Sequence, residues 1–121
     1  MHENGTRIIL TIGDPAGIGP EIAAALIKGG AQEREGILLA GSARALAENL
    51  SSGLAGGMTV VPAADVVEGW RLPAGIVVID TEGAMEIPRG GPSREGGLVA
   101  GRAIEKAAEL ALRGVVDGIV T

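Results

Sequence analysis

The sequence predicts an α/β fold, a largely parallel sheet flanked by helices, on three observations. Short runs rich in Ile, Val and Leu alternate with stretches of helical periodicity. Those runs are apolar at nearly every position, as strands covered on both faces are, rather than alternating. Glycine or proline punctuates the junctions between the two kinds of segment.

The elements follow in order. Arg7-Ile8-Ile9-Leu10-Thr11-Ile12 reads as a strand buried on both faces, ending at Gly13-Asp14-Pro15. A helix is expected from about Gly19 to Lys28. Pro20 suits its first turn, where a missing N–H costs nothing, and Glu21 lies at the positive end of the dipole. Ile18, Ile22 and Leu26 fall at i, i+4 and i+8 and form an apolar stripe, and Gly29-Gly30 ends the helix. Gly36 to Gly41 reads as a second buried strand, after which Ser42 is a good N-cap for a helix carrying Leu46 and Leu50. Met58 to Pro62 is a short strand suited to an edge, and Gly75 to Asp80 a further β-branched run. Thr81 to Gly91, with four glycines and prolines, reads as loop. The longest helix is expected from about Ser93 to Arg113, with Leu98, Ile104, Ala108, Ala111 and Leu112 on its apolar side. Its Glu109 and Arg113 form an i, i+4 pair, and Gly114 is its C-cap. Val115 to Thr121 reads as the last strand.

Composition narrows the function. The chain has 121 residues, 46% of them hydrophobic, and a mean hydropathy of +0.35, enough for one small domain with an apolar core. Its aromatic content is Trp70 alone, without Phe or Tyr, which argues against a base-stacking platform for single-stranded nucleic acid. A net charge of −5 and no basic run argue against phosphate-backbone neutralisation, so no nucleic-acid partner is expected. No apolar run approaches the roughly 20 residues of a membrane span, and residues 1–6 form a polar leader without the apolar core of a signal peptide. With no cysteine there is no disulfide framework or thiolate nucleophile. These features fit a cytoplasmic protein with no membrane partner.

Chemistry is concentrated between the first strand and the first helix, at Gly13-Asp14-Pro15-Ala16-Gly17-Ile18-Gly19-Pro20-Glu21. A glycine-rich turn there brings backbone N–H groups and a helix N-terminus close to an anion, beyond the carboxyl end of a strand where open α/β sheets bind ligands. The spacing matches neither the dinucleotide fingerprint nor the P-loop. A tight βα turn that simply needs glycine is the alternative.

That string, directly after Ile-Thr-Ile-like sequence, resembles the opening signature of the 4-hydroxythreonine-4-phosphate dehydrogenase family. More loosely it is similar to the start of isocitrate and isopropylmalate dehydrogenases. Supporting matches follow in order: Leu38-Leu39-Ala40-Gly41-Ser42, then Gly91-Pro92-Ser93 with Gly96-Gly97, Ile104-Glu105-Lys106-Ala107, and Asp117-Gly118-Ile119-Val120-Thr121. The resemblance spans residues 7 to 121 and implies the amino-terminal part of an isocitrate/isopropylmalate-dehydrogenase-like α/β/α domain, incomplete at its carboxyl end. It implies an NAD- or NADP-dependent oxidation and decarboxylation of 4-phosphohydroxy-L-threonine in pyridoxal 5′-phosphate (vitamin B6) synthesis. The family works as a homodimer with a divalent metal (zinc, magnesium or cobalt) held by three histidines. Erythronate or threonate phosphates are alternative substrates, and a non-catalytic nucleotide- or phosphate-binding module is the alternative function.

The resemblance places no catalytic residue and no metal ligand in this chain, so the chain alone is expected to be inactive. Its one histidine, His2, lies in the leader, and a single imidazole does not build such a site. The site residues it implies are Gly13, Asp14, Pro15, Ala16, Gly17 and Gly19, lining the cofactor cleft mainly through backbone groups. Asp14 could instead brace the turn or cap the helix, which the residue type favours. Ser93 reads first as an N-cap, Asp80, Glu82 and Glu86 as solvated loop acids, and Glu105 and Glu109 as an exposed face. Trp70 reads as a plug at the core edge.

Overall fold

A computed structural model of the chain describes residues 7–30 and 37–121. The polar leader with His2, and Gly36, lie outside the described residues. Among the described residues five strands form one sheet: β1 (Ile8–Thr11), β2 (Ile37–Gly41), β3 (Thr59–Pro62), β4 (Ile76–Asp80) and β5 (Gly118–Val120). Their order is β3-β4-β2-β1-β5 and every pairing is parallel. The helices are α1 (Gly19–Lys28), α2 (Ala43–Glu48), α3 (Ser52–Gly56) and α4 (Arg94–Leu112), with a 3₁₀ turn at Ala63–Asp65.

Side-chain alternation along the strands divides the core in two. Ile9, Leu38, Ala40, Val77 and Ile79 meet Ala103, Ala107 and Leu110 of α4, with Trp70 packed at the margin of that cluster. Ile12, Leu39, Val78 and Ile76 meet Ala23, Ala24 and Ile27 of α1 and Leu46 of α2 on the opposite face. The protein is thus a parallel sheet between two helical layers. As expected, β3 is an edge strand and Trp70 closes a core edge.

Several expectations need correction. The apolar stripe Ile18, Ile22 and Leu26 does not face the sheet: Ile18 is 71% exposed, and α1 buries Ala23, Ala24 and Ile27 instead. Likewise α4 buries Gly96, Val99, Ala103, Ala107 and Leu110, while Leu98, Ile104 and Leu112 point outward. In both helices the buried side sets small residues beside Ile27 of α1 and Val99 and Leu110 of α4, and the other large apolar residues stay exposed. The first strand is not buried on both faces, since Ile8 is half-exposed beside the edge strand. The last strand is only Gly118–Val120, because the residues before it complete the end of α4: Gly114 takes φ 76° and the Val115 N–H returns to the Leu110 carbonyl. Leu50 lies beyond the end of α2 but still packs against the α1-side core.

Candidate functional site

In a parallel sheet every helix that follows a strand starts at the strands' carboxyl edge, so the loops gather there. Gly13–Gly19 leaves the end of β1 and is drawn down tightly on it. A Cβ at Gly19 would overlap the Ile12 carbonyl oxygen and stand 2.8 Å from its carbon, so only glycine lets α1 begin there. The Gly17 N–H donates to the Asp14 carbonyl (2.9 Å) and the Ala16 N–H to the Asp14 Oδ1 (2.9 Å), closing the turn. Asp14 therefore braces the loop. It does not cap α1, whose N-cap is Ile18 with no side-chain cap. Among the described residues, no acceptor meets the N–H groups of Ile18 and Gly19 at the positive end of this ten-residue helix.

The second component comes from β2 and β4, which are neighbours. The chain leaves β2 toward the α1 layer and leaves β4 toward the α4 layer, so the crevice between their carboxyl ends is a topological switch point, the usual ligand position in open α/β sheets. Here an acid pair read as solvated proves to be structural. Glu82 is 6% exposed; it accepts from Ser42 Oγ (2.9 Å) and from Arg44 Nε and Nη2 (2.9 Å each). Asp80 accepts from the Ala43 N–H at the start of α2 (3.1 Å) and from the Gly83 N–H (3.0 Å). Ser42 caps α2 as expected, accepting from the Ala45 N–H. The Arg44 guanidinium, through its hydrogen bonds, holds the Glu82 carboxyl below the usual carboxylate range, and Ser42 adds to this. Glu82 first, and after it Glu48, push the Arg44 guanidinium further up. Glu86 stays exposed.

A cleft of about 180 Å³ opens over this network. It is lined by Pro15 and Ala16 of the glycine loop, by Arg44 and Glu48 of α2, and by Ile87, Pro88, Arg89 and Gly90. Arg44 pairs with Glu48, and Arg89, largely exposed, reaches the same carboxylate at 3.7 Å. The structure thus brings Pro15 and Ala16 to a cleft, with Asp14 Oδ1 accepting from the Ala16 N–H, whereas Gly13, Asp14, Gly17 and Gly19 are not among the residues that line it. Ser93 caps α4 through the Gly96 N–H (2.9 Å), and Glu109 pairs with Lys106 and Arg113, which lower its carboxyl, Lys106 foremost.

Sequence reasoning missed Arg44 and Arg89, and read Glu82 as a solvated loop acid. An Arg44–Glu48 i, i+4 pair was visible, but the link to Glu82 depends on the register Gly41↔Asp80. Among the described residues no group of three His, Cys, Asp or Glu could hold a metal. No helix among them is long and apolar enough to cross a membrane.

Comparison with known proteins defines the class first: the chain is homologous to dehydrogenases named for phosphorylated hydroxy acids. It is 34% identical over 117 residues to a D-threonate 4-phosphate dehydrogenase from Bordetella bronchiseptica, covering 94% of this chain and 33% of that protein. The homology is to the 4-hydroxythreonine-4-phosphate dehydrogenase family. Solved members from Klebsiella pneumoniae (29% identity, TM-score 0.68) and Burkholderia phymatum (27%, 0.67) each superpose on 95% of this chain and 36% of their own. The chain spans about a third of the length of the relatives it matches. No family model matches it.

Proposed function

We propose that residues 7–121 form the amino-terminal part of an NAD(P)-dependent dehydrogenase of this family, with an isocitrate/isopropylmalate-dehydrogenase-like core, and that the Gly13–Gly19 loop lines its cofactor cleft. The observation that carries this reading is the cleft at the sheet's carboxyl edge, which Pro15 and Ala16 help to line, in the same short loop as the Ile18 and Gly19 N–H groups that no described acceptor meets. Backbone donors at a helix N-terminus suit the phosphates of a dinucleotide. Gly13, Asp14 and Gly17 shape the loop, while Pro15 and Ala16 line the cleft.

The substrate on this reading is a four-carbon hydroxy acid carrying a 4-phosphate, either 4-phosphohydroxy-L-threonine or a threonate or erythronate phosphate. The Bordetella relative favours the threonate arm. When bound, the nicotinamide supplies hydride acceptance and a divalent metal supplies carbonyl polarisation. The residues of this chain bind and orient. The metal's ligands lie outside the described residues, and the full enzyme acts as a cytoplasmic homodimer. The test is a polypeptide that carries this chain at its relatives' length, supplied with divalent metal, each candidate substrate and NAD or NADP. Reduced nicotinamide should accumulate with one of the phosphorylated acids. Dinucleotide binding without turnover on any of them would favour the non-catalytic binding module.

A further inference from the structure

Asp14 is held from below as well as from within its own turn. Gly96, the third residue of α4, lies so close to the Asp14 carboxylate that a Cβ there would overlap Oδ1 and stand 2.7 Å from both the carboxyl carbon and Oδ2. The neighbouring Gly97 has open space at the same position. Gly96 has no positive φ, so its conformation does not require glycine; only the carboxylate does. The same Asp14 Oδ1 accepts from the Ala16 N–H, and Ala16 lines the cleft. The N-terminus of α4 is itself fixed, by Ser93 on the Gly96 N–H and by the Thr81 hydroxyl donating to the Val99 carbonyl at the end of β4.

We propose that Gly96 is a positioning residue for the candidate ligand loop: the space left by its missing side chain seats the Asp14 carboxylate, which in turn sets Ala16 at the cleft and the course of the loop on to Ile18 and Gly19. The part concerning ligand rests on the cofactor reading above. The part concerning the loop stands without it. Because the atoms in the way are the end of a flexible side chain, Gly96→Ala displaces Asp14 rather than α4.

Amide NMR spectra of the chain and its variants test this. In Gly96→Ala the Ala16, Gly17, Ile18 and Gly19 amides should shift, with those of Val99 and Leu110 in place. Gly97→Ala should leave the loop unmoved. Asp14→Ala should shift the same loop amides, and adding Gly96→Ala to it should shift them no further. NADH titration should then show affinity weakened at least about tenfold in Gly96→Ala, by misplacement of the binding groups, and unchanged in Gly97→Ala. Unshifted loop amides in Gly96→Ala overturn the proposal, as does a shifted loop that binds NADH as the parent does. If Gly96→Ala fails to fold, the double variant with Asp14→Ala should fold; if it does not, the obstruction is not Asp14 and the proposal is wrong. A parent chain that binds no NADH sinks the cofactor reading while the amide shifts still decide whether Gly96 positions the loop.

Discussion

Glu82 keeps its charge inside the protein because three donors, from Ser42 and Arg44, converge on it. Its carboxyl is depressed below the ordinary value of 4.5, so the stabilisation it contributes is present above about that pH and is lost as pH falls through the folded-state value. Glu82→Gln should cost about 2 kcal/mol at neutral pH, the scale of hydrogen bonds to a charged group. Urea unfolding at a series of pH values checks both parts: the parent should lose stability below pH 4.5, and the variant should lose less over the same range. A second residue, Gly19, tests close approach instead of charge. Gly19→Ala drives a methyl into the Ile12 carbonyl and should cost at least about 3 kcal/mol, the upper range for overpacking. Both residues bear on what sequence conveys. The glycine was legible because it stands in a motif string. The acid was not, because its partners lie 38 and 40 positions away and meet it only through parallel register.

At the scale of elements, the positions and types of strands and long helices were legible, and the inward faces of the helices were not. Helix α1 carries two apolar stripes, Ile18-Ile22-Leu26 and Ala23-Ala24-Ile27, and periodicity alone does not say which one meets the sheet. Weighting by size chose the larger residues. Close packing on a parallel sheet favours the smaller ones, because alanine shortens the distance at which a helix axis can ride on β-branched side chains. Two leucines near the end of α4 turn this into a measurement. Leu110 is 0% exposed among Ile9, Val77 and Val116, whereas Leu112 is 90% exposed. Leu110→Ala should cost about 2–5 kcal/mol, from lost burial and the cavity left behind. Leu112→Ala should stay within about 0.5 kcal/mol, as surface changes do. Equal losses in chemical denaturation of the two variants would mean that α4 is rotated from the orientation described here.

For the molecule as a whole, the sheet's two edges are treated differently. At one edge β3 ends in Pro62 and a 3₁₀ turn, devices that discourage further pairing. At the other, Gly118-Ile119-Val120 carries no lysine, proline or bulge. Parallel register places Val120 beside Leu10, hence on the α1 side along with Ile8, and both are about half exposed. Ile22 and Leu26 of α1 are exposed in that layer too. A parallel sheet is ordinarily covered on both faces, whereas among the described residues Ile8, Val120, Ile22 and Leu26 stay about half exposed in this quarter. Pairing there would join main-chain groups and bury apolar side chains in one step. The chain should therefore associate as its concentration rises, in a manner that depends on this edge. Sedimentation velocity over a concentration series checks it: Val120→Lys, which places a charge on the open edge, should shift the distribution toward monomer. Val60→Lys, the same change on β3, should leave the distribution as it was. If both variants behave like the parent, association runs through another surface, and the exposed stripe of α4, with Leu98, Ile104 and Leu112, becomes the place to put the next charge.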